Sequence, residues 1–179
     1  MHEPKRVESR RNHDGSWYCV DSVIVGAPAA VVFSVLEDLE GYSSWWPGVR
    51  ISVDGDVARG ARGVFSVREG VYGLRSEFEI ETVEPGRRVR LRCTKGGATG
   101  AISFEVGRVE DACRATILWD GVTVRAPIAR LLFRLFGPSF HHKKAARGLR
   151  GLQRAAAEAL RREPRSTRPS FSWRGSTPE

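Results

Sequence analysis

LRSEFEIETVEPGRRVRLRCT, residues 74–94, is the stretch that decides the fold. Its apolar and charged residues alternate with a period of two, the signature of strands with one face buried. Leu74, Ser76, Phe78, Ile80 and Thr82 share one face of the first strand, and Arg75, Glu77, Glu79 and Glu81 share the other. On the second strand Val89, Leu91 and Cys93 alternate with Arg88, Arg90 and Arg92. A turn at Pro85-Gly86 sets the glutamate row against the arginine row on the solvent side. Each such cross-strand pair contributes about 0.2–1 kcal/mol. A one-residue slip would bury the charges, so the register is fixed.

Working outward, the same period predicts a first strand over 17–25 and further strands near 49–54, 63–69, 98–107 and 112–122. Gly26-Ala27-Pro28 breaks the first strand and opens a helix, AAVVFSVLEDL, whose apolar stripe is Val32, Leu36 and Leu39. YSSWWPGV follows as a helical turn, because Pro47 biases Trp46 away from α geometry. A long helical stretch over 126–162 is expected to be interrupted at Gly137-Pro138. At about 100° per residue it places Leu149, Leu152, Ala156 and Leu160 on one arc. Residues 1–15 read as a flexible polar arm, 16–162 as one folded domain and 163–179 as a disordered tail. The fold class is α+β: a curved antiparallel sheet of about seven strands, wrapped on a long C-terminal helix that buries its apolar face.

Composition narrows the function. The chain has 179 residues, 41% hydrophobic and 28% charged, enough for one domain with a real core. No run approaches the roughly 18 apolar residues of a membrane-spanning helix. The first twenty residues lack an apolar signal core, so a cytoplasmic protein is expected. Cys19, Cys93 and Cys113 form no CxxC pair, which argues against a disulfide framework and against zinc. Nine Lys and Arg residues lie in 126–162 against Glu158 alone, and this segment accounts for the whole net charge of +8. The stripe lacks interleaved aromatics and any reading motif, so no nucleic-acid partner is expected. A solvated helix face is the plain account. An anionic membrane surface or an acidic carrier protein is the functional one.

The segment that starts at Val20, VDSVIVGAPAAVVFSVLEDLEGYSSWWPGV, with PGRRVRLRC, TILWDG, APIARLLFRLFG and ARGLRGL further on, resembles the START-like helix-grip (SRPBCC) superfamily, in its polyketide cyclase/dehydrase-like branch. The resemblance implies a deep apolar cavity between the concave sheet face and the last helix. It implies a hydrophobic small molecule as partner, no cofactor, and in some members cyclisation, aromatisation or dehydration of a polyketide-like substrate. The alternative is a non-catalytic lipid, quinone or isoprenoid carrier docking through the basic helix. Whether the chain is an enzyme, and its oligomeric state, stay open at this point.

The candidate chemistry is sparse. His2 and His13 fall in the arm, and the adjacent His141 and His142 diverge by about 100° on a helix, so no metal site is expected. His141 is a candidate general acid or base, with a polar residue at the start of the final helix as the plainer reading. Asp120, if turned inward, is the carboxylate expected to have a raised pKa, and the second candidate for moving a proton. The expected ligand wall is Trp46, Phe65, Ser76, Phe78, Ile80, Leu91, Phe104, Trp119, Phe140 and Leu149. Trp46 and Trp119 also offer an indole N–H. Ser76 brings a hydroxyl onto an apolar face, where it must find a partner. Gly148 and Gly151 leave room either for close helix packing or for a ligand.

Overall fold

The structure, a computed structural model, describes residues 2–70, 72–110, 112–125 and 127–162, and of Tyr72 and residues 127–138 the backbone alone. Among the described residues eight strands occur: β1 (Lys5–Arg11), β2 (Trp17–Val25), β3 (Val49–Val53), β4 (Arg62–Glu69), β5 (Tyr72–Glu84), β6 (Arg88–Gly96), β7 (Ala98–Val109) and β8 (Ala112–Val124). Helices α1 (Ala29–Glu37) and α2 (Tyr42–Trp45) connect β2 to β3, and α3 (Pro127–Arg162) closes the described chain. All eight strands form one antiparallel sheet in the order β1-β2-β8-β7-β6-β5-β4-β3. Between β2 and β3 the chain crosses from one side of the sheet to its far rim, and the two helices make that crossing over the concave face.

Opposed residues in an antiparallel pair share a face, so the register defines the interior directly. One inward row runs Asp21–Ile117–Phe104–Val89 across β2, β8, β7 and β6. The next runs Cys19–Trp119–Ile102–Leu91–Ile80, ending on β5. A third, on β3 to β5, is Ile51–Phe65–Ser76. Most of these side chains are fully buried, and Val32, Phe33 and Leu36 of α1 and Leu149, Leu152 and Ala156 of α3 pack against them.

Four details differ from the sequence reading. Residues 5–11, read as part of an arm, form β1, which pairs with β2 from Lys5↔Ser22 to Arg11↔Trp17. Its composition is that of an exposed edge strand, for which polarity is no obstacle. A bulge at Glu81 shifts the register between Ile80 and Thr82, so Thr82 opposes Arg90 on the charged face and Val83 takes the inward place opposite Val89. Glu81 consequently receives hydrogen bonds from both Arg90 and Arg92.

The third difference is that α3 runs unbroken for 36 residues through Gly137 and Pro138. An interior proline costs about 3 kcal/mol through one lost N–H and one clash. That is a local penalty, and it does not end a helix whose C-terminal half is anchored by packing. Fourth, Leu160, expected on the apolar arc, is 41% exposed, because the sheet contact ends before the last turn. The tail read over 163–179 lies outside the described residues.

Candidate functional site

The inward row of β2 contains one residue that its pattern would not predict. In WYCVDSVIV, Asp21 occupies a position equivalent to Cys19, Val23 and Val25, and its side chain is 1% exposed. A carboxylate removed from water must be matched by donors. Two imidazoles from α3 approach it, and one of them hydrogen-bonds it. His142 Nδ1 hydrogen-bonds Asp21 Oδ1, and His141 Nε2 stands 3.2 Å from Asp21 Oδ2, outside hydrogen-bond geometry. Burial pushes the Asp21 carboxyl up, but the two imidazoles beside it, those of His141 and His142, outweigh burial, and the net pKa lies below the usual carboxylate value.

Adjacent positions on a helix point about 100° apart, which is the argument against a shared metal ion. That angle does not prevent the two histidines from meeting one acceptor, because they approach its two oxygens separately. Among the described residues no group of three or more His, Cys, Asp or Glu is disposed to hold a metal ion. The His141 ring lies edge-on to Trp119, with centroids 4.9 Å apart, and Trp119 meets Phe65 in the same manner at 6.1 Å. The indole Nε1 of Trp119 is buried without a partner.

The structure sets His141 beside Asp21, and Asp120 does not turn inward. Asp120 faces outward opposite Ala101 and accepts a hydrogen bond from Arg90 Nη2 at 2.9 Å, because alternation along β8 turns it away from Trp119. The wall residues Phe65, Phe78, Ile80, Leu91, Phe104 and Leu149 are all at most 1% exposed. Ser76 is buried among them, its Oγ accepting from the Ala98 N–H at 3.0 Å. Phe140 is 43% exposed, since the helix turns it away from the sheet.

Trp46 belongs to the packing between helices. Its Nε1–H donates to Lys144 O at 3.0 Å, and its ring covers Gly148 so closely that a β-carbon there would stand 2.5 Å from Trp46 Cε2. Lys144 is itself buried, and its Nζ donates to Pro47 O (2.8 Å), Arg68 O (3.2 Å) and the Glu69 carboxylate. That carboxylate, also bound by Arg147, has its pKa lowered, chiefly by the hydrogen bond from Lys144. The three cysteines are free and buried, and burial raises each thiol, that of Cys93 to about 11. None is an activated nucleophile. A separate groove of about 760 Å³ lies between α1, α2 and the last turns of α3, lined by Val35 and Trp45 but also by Asp38, Arg154 and Glu158.

A curved antiparallel sheet closed over a long C-terminal helix is the START-like helix-grip architecture. Comparison bears this out, and the chain belongs to the family described as "Polyketide cyclase / dehydrase and lipid transport", whose sequence pattern covers residues 19–160. Among solved structures it is similar to the protein TTHA0849 from Thermus thermophilus, with 17% identity, TM-score 0.69, and 79% of this chain and 98% of that one covered. It is similar to the Zhui aromatase/cyclase from a Streptomyces species, with 16% identity, TM-score 0.58, and coverage of 84% and 97%. A START superfamily protein from Mycobacterium smegmatis shares 18% identity at TM-score 0.56, with coverage of 76% and 97%. At these identities the structural likeness establishes the fold. No curated protein matches the chain.

Proposed function

We propose that the protein binds a hydrophobic small molecule between the inner face of its sheet and α3, and carries out polyketide cyclase/dehydrase-like chemistry on it. The observation that carries this reading is a carboxylate, Asp21, placed among apolar inward residues and approached by two imidazoles. A binding shell needs only apolar lining. A buried Asp with His141 and His142 adds groups that can take and return a proton, with the carboxylate stabilising a positively charged imidazole. The aromatic wall of Phe65 and Trp119 would hold a flexible chain with its reacting atoms close together. The family membership supports both the ligand class and the reaction class.

A carrier without catalysis is the second reading, and the exposed basic face of α3, with Lys143, Arg150, Arg154 and Arg161, favours it as a docking surface for an anionic membrane or an acidic carrier protein. Among the described residues no helix is long and apolar enough to cross a membrane. A cytoplasmic location is part of this proposal.

Native mass spectrometry of the protein purified from its own host, with extraction of any bound molecule, separates the readings. A polyketide-like or other aromatic compound, turned over by the wild type and not by His141→Asn, is the expected result. A bound phospholipid, quinone or isoprenoid that emerges unchanged establishes the carrier. A protein that is empty and takes up no apolar fluorescent probe overturns both.

A further inference from the structure

Among the described residues five buried side-chain polar atoms have no hydrogen-bond partner: Asp21 Oδ2, His141 Nε2, Trp119 Nε1, Arg88 Nε and Gln153 Oε1. The first three belong to one place. His141 Nε2 is 3.2 Å from Asp21 Oδ2, the His141 ring packs edge-on against Trp119, and Asp21 and Trp119 are diagonal neighbours on the inward faces of β2 and β8. Asp21 and His141 are 1% and 8% exposed, so bulk water does not satisfy them. Asp21 Oδ2 and His141 Nε2 face each other as an ion-pair contact without a hydrogen bond's geometry, and Trp119 Nε1 has no hydrogen-bond partner, so the three together mark a position where a hydrogen-bonding group belongs.

The chemistry of the three atoms narrows that partner. Trp119 Nε1 only donates, an ionised Asp21 Oδ2 only accepts, and His141 Nε2 does one or the other according to tautomer. The complementary group must accept from the indole and donate to the carboxylate or the imidazole through a single small centre. A hydroxyl does this. A ketone or ether oxygen accepts without donating, an ammonium donates without accepting, and a carboxylate would set a second negative charge beside Asp21.

We propose that the ligand is a neutral apolar molecule carrying an alcohol or phenol group, and that this hydroxyl is seated between Trp119 Nε1, His141 Nε2 and Asp21 Oδ2. The proposal rests on the small-molecule reading above and specifies its ligand. It sets fatty acids and plain hydrocarbons aside in favour of hydroxylated ones. The ring or chain bearing the hydroxyl lies along the apolar wall that continues through Phe65.

Four probes of one shape test it by calorimetric titration: naphthalene, 1-naphthol, 1-methoxynaphthalene and 1-naphthoate. The wild type should bind 1-naphthol about tenfold or more tightly than 1-methoxynaphthalene, which keeps the oxygen and loses the donor. It should bind 1-naphthoate more weakly than naphthalene. Trp119→Phe retains a ring and removes the N–H, so it should lower 1-naphthol affinity several-fold while leaving naphthalene near its wild-type value. Equal binding of naphthalene, naphthol and methoxynaphthalene overturns the hydroxyl site and leaves the apolar-ligand reading standing. Tightest binding of 1-naphthoate does the same. Failure of a folded wild-type protein to bind any of the four overturns the apolar-ligand reading and this proposal with it. The wild-type series decides the matter even if Trp119→Phe does not fold.

Discussion

The α-carbon of Gly151 in α3 rests directly on the main chain of Trp45 in α2, so that a β-carbon built on it would overlap the Trp45 carbonyl oxygen. One turn earlier Gly148 lies beneath the Trp46 indole in the same way. These two glycines are what allow α3 to sit against the short helix that leads into β3.

Gly151→Ala should therefore invert the ordinary helix rule. In an exposed helix the change would stabilise by about 1 kcal/mol through propensity. Here α3 must lift off α2, and overpacking of this kind costs about 1–3 kcal/mol. Urea denaturation should show a lower midpoint for the alanine variant. An unchanged or higher midpoint would mean that the contact yields without strain.

Asp21 makes stability dependent on acidity in a definite direction. Its pKa is held below the usual value by His141 and His142 against the opposing effect of burial. The unfolded chain, with a carboxyl pKa of about 3.9, then takes up its proton first as pH falls. The stabilisation is complete above that value and is lost as pH drops toward the depressed folded value. Asp21→Asn should cost about 1–3 kcal/mol at neutral pH. The gap to wild type should close in acid, as read by urea unfolding at a series of pH values. A gap that persists unchanged into strong acid would show that the ionised carboxylate is not its source.

Lys144 directs its ammonium donors at Pro47 O, Arg68 O and Glu69. Lys144→Met keeps the stem and leaves two carbonyls and part of a carboxylate unmatched. A loss of about 2 kcal/mol is expected, below the roughly 3–5 of a fully buried pair because Glu69 is partly open to water and keeps Arg147. Glu69→Gln should cost less, under about 1 kcal/mol. Equal losses for the two variants would show that the ion pair, not the carbonyl anchoring, carries the contact.

The contrast between hairpin and site explains what the sequence makes legible. The β5–β6 hairpin is readable because alternation is a local rule, and its faces are those the pattern states as far as Ile80. The bulge at Glu81 escapes such a rule, since one inserted residue leaves no mark in composition. The wall from Phe65 through Phe104 follows from the same alternation. Asp21 carries a local signal, a carboxylate at an inward position of a β-branched strand. Its role does not follow from that signal, because its hydrogen-bond partner His142 is 121 residues away, on a helix whose facing no local rule supplies. Asp120 stands beside Trp119 in sequence, and alternation sends it outward to Arg90. Trp46 offers a donor that reads as free in sequence, and only the packing of α3 shows it to be used.

β1 has a consequence for how the protein behaves in a crowded solution. A sheet of eight strands that does not close has two open rims, each a template on which another chain can add. One rim is β3, only five residues long. The other is β1, KRVESRR, in which five of seven side chains are charged. Both are poor nuclei for edge-to-edge stacking. Without β1 the rim would be the apolar strand WYCVDSVIV, so this short charged ribbon serves as a gatekeeper that keeps the sheet from propagating between molecules.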